Sequence, residues 1–139
     1  MIVLDTGGLY AALDANEALH GRAAAALGAS TPPRVLSPLV LAELDYLIGK
    51  RVGHAGQMAL INEIKRGAYQ LEPFSVEDLT HCQRILEKYR DLGIGVADAS
   101  VVVLADRHRT VELLCTDERH FRIVRGTNGK PFRLLPLDA

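Results

Sequence analysis

Short, almost wholly apolar runs alternate along this chain with longer segments of helical periodicity, and few folds accommodate that alternation. Ile2 to Asp5, Arg34 to Leu36, Tyr69 to Phe74, Glu112 to Cys115 and Phe132 to Leu135 read as strands. Between them, helices are expected from Leu9 to Leu13, after the Thr6-Gly7-Gly8 turn, and from Asn16 to about Leu27, where Gly28 stops the alanine-rich run. Ser37-Pro38 supplies an N-cap and a first-turn proline for a helix running to about Arg51. Another lies between Gly53 and Gly67, with Met58, Ile61 and Ile64 at helical spacing. Ser75 and Asp78 have the capping-box spacing ahead of the stripe Leu79, Cys82, Ile85, Leu86 and Tyr89. The helix from Asp98 to about His108 is apolar almost all round and belongs at the centre of the fold. Strands joined by helices of this length imply an α/β protein with a mainly parallel central sheet of about five strands, covered on both faces. At 139 residues, one domain over 1–139 is expected.

Composition narrows the class further. With 48% hydrophobic and 24% charged residues the chain is ordinary globular protein. No apolar run approaches the roughly 20 residues that cross a bilayer, and Met1 leads straight into Ile2-Val3-Leu4, so a cytoplasmic protein is expected. Cys82 and Cys115 lack metal-ligand spacing and read as buried small apolar residues. The net charge of −1 advertises no nucleic-acid footprint. The charge is uneven, however. Arg107, Arg109, Arg119, Arg122, Arg125, Lys130 and Arg133 outnumber Glu112, Asp117 and Glu118 in the C-terminal part. Arg119, Arg122, Arg125 and Lys130 are candidates to hold a phosphate backbone; a solvated surface is the plainer alternative.

Four acids end or interrupt apolar runs: Asp5 after Ile2-Val3-Leu4, Glu43 within Leu39 to Leu44, Asp98 before Ala99 to Leu104, and Asp117 after Leu113 to Thr116. A carboxylate at a core edge is desolvated and costs free energy unless a positive group shares its site. No equally embedded Lys or Arg lies nearby in sequence, which points to a bound cation. In open α/β sheets ligands bind beyond the carboxyl ends of the strands, where strand order reverses. Asp5 and Asp117 should both lie on that rim, and Asp98 opens a helix whose dipole favours an acid. Each has a plainer role. Asp98 serves equally well as a helix-start acid, Asp117 as a cap on Glu118-Arg119-His120, and Glu43 as a snorkelling residue or a partner for Lys50 or Arg51. The set carries the functional reading. Oxygen-only clusters suit Mg²⁺ or Mn²⁺. None of the five histidines, His20, His54, His81, His108 and His120, has a partner at zinc spacing, and all are expected on the surface. Beside a phosphodiester, such a centre suits metal-assisted hydrolysis.

Taken in order, Ile2-Val3-Leu4-Asp5-Thr6, Ser37 to Leu44 around Glu43, Gly95 to Ser100 around Asp98, and Thr116-Asp117-Glu118-Arg119-His120-Phe121 resemble the PIN-domain nucleases, specifically the VapC-type toxins of toxin-antitoxin pairs. The resemblance spans essentially the whole chain. It implies a three-layer α/β/α fold, Mg²⁺- or Mn²⁺-dependent cleavage of RNA, a cognate antitoxin of the VapB type, and a homodimer that can form a heterotetramer or larger with that antitoxin. Asp5 and Asp98 match the family's principal metal ligands. Glu43 matches a third acid acting directly or through water, and Asp117 a fourth at the second ion or outside the first shell of ligands. Thr6 and Thr116 match hydroxyls that steady the site. Gly7-Gly8 departs from the pattern, where the family more often has better helix-opening residues, and is expected to loosen the first turn. A phosphorelay receiver would need paired acids after the first strand and a lysine ending the last. A nucleotide-binding module would need a glycine-rich phosphate loop after a strand. This chain has neither.

Overall fold

The computed structural model describes residues 1–139. Five short strands, β1 (Ile2–Leu4), β2 (Arg34–Leu36), β3 (Gln70–Leu71), β4 (Glu112–Cys115) and β5 (Arg133–Pro136), form one parallel sheet in the order β3-β2-β1-β4-β5. The chain begins at the central strand, moves outward through β2 to β3, then returns to the other side of β1 as β4. Strand order therefore reverses between β1 and β4, which pair Val3 with Leu113 and Leu4 with Leu114. That reversal opens a crevice at their carboxyl ends.

Seven α-helices connect the strands: α1 (Thr6–Leu13), α2 (His20–Ala29), α3 (Pro38–Arg51), α4 (His54–Lys65), α5 (Val76–Lys88), α6 (Val96–Arg107) and α7 (Glu118–Phe121). Helices α1 and α2 pack together over β4, with α2 reaching β5; α6 packs on β1 with α5 beside it. The result is the expected three-layer α/β/α arrangement. All of β1 and the run Ala99 to Ala105 in α6 are buried, so the central strand and the central helix form the middle of the core. No helix is long and apolar enough to cross a membrane.

Several boundaries differ from those the sequence predicts, each for a local reason. Helix α1 starts at Thr6, because the Asp5 carbonyl accepts from Leu9 N at 2.9 Å and closes a turn through both glycines. Gly8 lies so close to Leu114 that a Cβ there would run into the strand's backbone. The Gly7-Gly8 pair thus lets α1 lie against β4 and does not loosen the turn. Asn16 caps no helix: its N–H donates to Asp14 Oδ1 at 2.9 Å in a tight turn, and α2 waits until His20. Strand β3 is only two residues long. Glu72 N still bonds Leu36 O at 3.0 Å, and Pro73 then has no N–H to continue. Helix α6 opens at Val96, placing Asp98 inside its first turn. Ser37 does cap α3, accepting from Leu39 N at 3.1 Å, and Ser75 with Asp78 does form a capping box on α5.

Candidate active site

The four acids arrive at the crevice on four different elements. Asp5 is the N-cap residue of α1, pinned where its N–H donates to the Leu114 carbonyl of β4 at 3.0 Å. It is only 5% exposed, the least accessible carboxylate in the chain. Its side chain accepts from the Cys115 thiol, Sγ to Oδ2 3.4 Å. Burial raises the Asp5 carboxyl to about 7, with the charge of Asp98 the next cause and that of Asp117 a smaller one; the Cys115 and Thr6 hydrogen bonds pull the other way. Asp98 is also pushed upward, first by burial and further by Asp117 and Glu43, while the Gly95 backbone and His120 oppose the shift.

Glu43 lies on the exposed side of α3 and pairs with neither Lys50 nor Arg51. Its Oε1 accepts from the Thr6 hydroxyl at 2.7 Å, which joins the second acid to the first turn of α1. Thr116, the other expected hydroxyl, lies against Gly7: a Cβ added there would stand 2.9 Å from Thr116 Oγ1. Asp117 performs its plainer role as well, capping α7 by accepting from His120 N at 3.3 Å. Ser37, the N-cap of α3, and Ser100, two residues after Asp98 on α6, join the helices that carry Glu43 and Asp98. Ser37 Oγ and Ser100 Oγ are 2.7 Å apart and fully inaccessible, and Ser100 also donates to the Ala97 carbonyl at 2.6 Å.

Three side chains, those of His120, Cys115 and His108, have partners that the sequence reading missed. His120 is not a surface residue: its Nδ1 stands 3.1 Å from Asp117 Oδ2 and 3.5 Å from Asp98 Oδ2. That buried nitrogen makes a well-aligned hydrogen bond to neither oxygen. The cue was its spacing of three from Asp117 on a helical turn. Cys115 is buried as expected, but it also bridges acids, since Asp117 N approaches its sulfur at 3.3 Å. Burial pushes its thiol well up, so it acts there as a neutral donor. His108 is likewise drawn inward, with Nε2 2.5 Å from Glu72.

The basic segment divides. Arg122 is committed to Asp138, with both forks at 2.7 Å, and to Glu118 at 3.1 Å, so it is not free for phosphate. Arg119, Arg125 and Lys130 are exposed. The acids share one electrostatic neighbourhood without forming a closed cage: no three His, Cys, Asp or Glu side chains converge at metal-ligand range. Oxygen donors on separate elements around a buried carboxylate with no embedded Lys or Arg are nevertheless the donor chemistry a hard divalent cation takes.

An α/β sheet with acids gathered from distant segments at its switch point defines a protein built to handle charge at one crevice. The PIN domain family matches residues 2–126. Ribonuclease VapC26 of Mycobacterium tuberculosis is 40% identical over 135 residues, covering 97% of this chain and 100% of that protein. The chain therefore belongs to the PIN-domain family, among its VapC-type ribonucleases. Solved structures agree in fold. The sarcin-ricin loop cleaving toxin VapC20 of M. tuberculosis superposes with a TM-score of 0.76 at 21% identity, over 84% of this chain and 90% of that one. A toxin-antitoxin complex from Klebsiella pneumoniae gives 0.68 at 18% identity, over 89% and 92%.

Proposed function

We propose that this chain is a divalent-metal-dependent endoribonuclease, the toxin of a toxin-antitoxin pair, acting as one domain over residues 1–139. The observation that carries the reading is Asp5: a carboxylate buried beside Asp98 and Asp117, with no Lys or Arg to offset it. Asp5 and Asp98 are the principal ligands in this reading, with Glu43 held ready by Thr6 and Asp117 completing the set. Mg²⁺ or Mn²⁺ bound among them supplies positive charge for the phosphate and an acidified water as nucleophile. The protein's part is positional. Cys115 orients Asp5 by donating to its Oδ2. The Ser37–Ser100 contact ties α3 to α6, and the His120 ring stands between Asp117 and Asp98.

The antitoxin reading rests on the relatives and on a groove. Tyr10, Leu13, Ile48, Val52 and Leu60 line an apolar cavity of about 180 Å³ between α4 and the C-terminal parts of α1 and α3, the two helices whose N-terminal parts carry Asp5 and Glu43. Apolar residues of a partner segment fit there, and an arginine from the same segment can reach the carboxylates in place of a cation. Incubating the purified chain with RNA and with DNA of the same sequence tests the activity. Internal cleavage of the RNA in Mg²⁺, abolished by chelator and restored by added Mg²⁺, is expected. Cleavage that persists in chelator, or none in Mg²⁺ or Mn²⁺, overturns the reading.

A further inference from the structure

Beyond the acidic crevice, the face formed by α5, α6 and the segment after α7 carries a second charged feature of opposite sign. His81, Arg84 and Lys88 follow one another at helical spacings of three and four, so they share one side of α5. With Tyr89, Val102, Asp106, Arg125 and Gly126 they line an open cavity of about 250 Å³. Six of the sixteen Lys and Arg side chains, Arg51, Arg66, Arg90, Arg107, Arg122 and Arg133, each pair with a carboxylate. Arg84, Lys88 and Arg125 do not. Asp106 is the one acid lining the cavity, and it accepts from Thr127 Oγ1 at 2.9 Å. The wall is built rather than floppy, because Arg125 N donates to Tyr89 Oη at 3.1 Å and ties the two segments together.

The cavity is also aligned with the acids. Asp98, Val102 and Asp106 recur every four residues on α6 and so lie along one continuous face of that helix. At 1.5 Å per residue, Val102 is about 6 Å and Asp106 about 12 Å from Asp98 along the axis. Stacked nucleotides advance about 3.4 Å each, which puts the cavity within about four nucleotides of the acidic crevice. We infer that Arg84, Lys88 and Arg125 form a phosphate-binding track for single-stranded RNA, holding the backbone a few nucleotides away from the bond that is cut. The inference rests on the ribonuclease reading and extends it from Arg125, in the basic segment that the sequence singled out, to Arg84 and Lys88 on α5, outside that segment. It explains how a chain of net charge −1 and an acid-lined crevice holds a polyanion: the cations lie beside the acids rather than among them.

The test uses full-length protein carrying Asp98→Asn, so that RNA is bound without being cleaved. Arg84→Gln with Lys88→Gln is compared with Lys65→Gln plus Arg66→Gln, which removes the same charge at the end of α4. All four side chains are solvent-facing, and circular dichroism verifies the fold. Binding of an RNA of about twelve nucleotides and of a dinucleotide is followed by fluorescence anisotropy across salt concentrations. The α5 pair should weaken binding of the longer RNA about tenfold at low salt. Its log–log salt slope should flatten by about 1.4, since each single-strand phosphate contact contributes about 0.7. The dinucleotide and the α4 pair should show neither effect. Unchanged affinity and slope for the α5 pair, or an equal loss with the α4 pair or the dinucleotide, overturns the track while leaving the nuclease intact. No binding of either RNA by the Asp98→Asn chain overturns the ribonuclease reading and the track with it.

Discussion

Asp5 is where the sequence and the site meet at the scale of one residue. Its position after a buried strand made it conspicuous, and its burial with Asp98 nearby raises its carboxyl to about 7. In the unfolded chain an aspartate titrates near 3.9. Between those values the folded protein holds a proton that the unfolded chain does not, so without divalent ions stability should rise as pH falls from about 8 toward about 5, then level off near 4. Asp5→Asn removes the part of that slope due to Asp5, leaving the smaller contribution of Asp98, and should stabilise the metal-free protein at pH 8 by on the order of a few kcal/mol, read by urea denaturation. Identical pH profiles for parent and variant would contradict the burial argument. His120 shows what sequence alone hides. A histidine with no zinc-spaced partner looks like surface, and only the one-turn α7 brings its ring to Asp117 and Asp98. An asparagine amide can approximate the position of Nδ1, whereas a glutamine amide reaches further, to where Nε2 stands. His120→Asn should therefore keep much of the RNA-cleaving rate and His120→Gln lose at least about tenfold; the reverse order would remove Nδ1 from the account.

Among elements, the Ser37–Ser100 contact joins α3 and α6, the helices that carry Glu43 and Asp98. Ser37 was legible as an N-cap because it precedes Pro38 in a helix start, but nothing in sequence reveals that its hydroxyl also meets Ser100 across 63 positions. Ser100→Ala leaves a buried hydroxyl short of a partner and should cost about 1–2 kcal/mol in denaturant unfolding, with a weaker apparent affinity for Mg²⁺ in cleavage assays. An unaltered Mg²⁺ dependence would show that the joint does not govern the site. The glycine pair was misjudged for a related reason. Its cost to helix propensity is visible locally, while its benefit, the approach of α1 to the backbone of Leu114, exists only in the folded sheet. Gly8→Ala should destabilise the protein by more than about 2 kcal/mol, far beyond the effect expected from propensity, since alanine is the better helix former. A neutral or stabilising Gly8→Ala would contradict that close approach.

For the molecule as a whole, alternation of apolar runs and helical periods was enough to predict a parallel sheet, because Ile2-Val3-Leu4 and Leu113-Leu114-Cys115 can be apolar on both faces only if helices cover both. Strand order was not readable from any one segment; it follows from α5 and α6 carrying the chain back across β1 to β4. The four acids were recognisable as a set, while their supporting residues, Cys115, His120 and Ser100, were not, since each acts through a contact between distant segments. Charge told a similar story. Arg122 stood in the basic segment by sequence, yet Asp138 and Glu118 occupy it. The account's central claim is that these dispersed carboxylates form one cation site. Calorimetric titration of Mn²⁺ into the parent chain and into Asp5→Asn and Asp98→Asn tests it most directly. Saturable binding by the parent, weakened at least about a hundredfold in both variants, is the predicted result; parent-like isotherms in both variants, or no saturable binding by the parent, would contradict it.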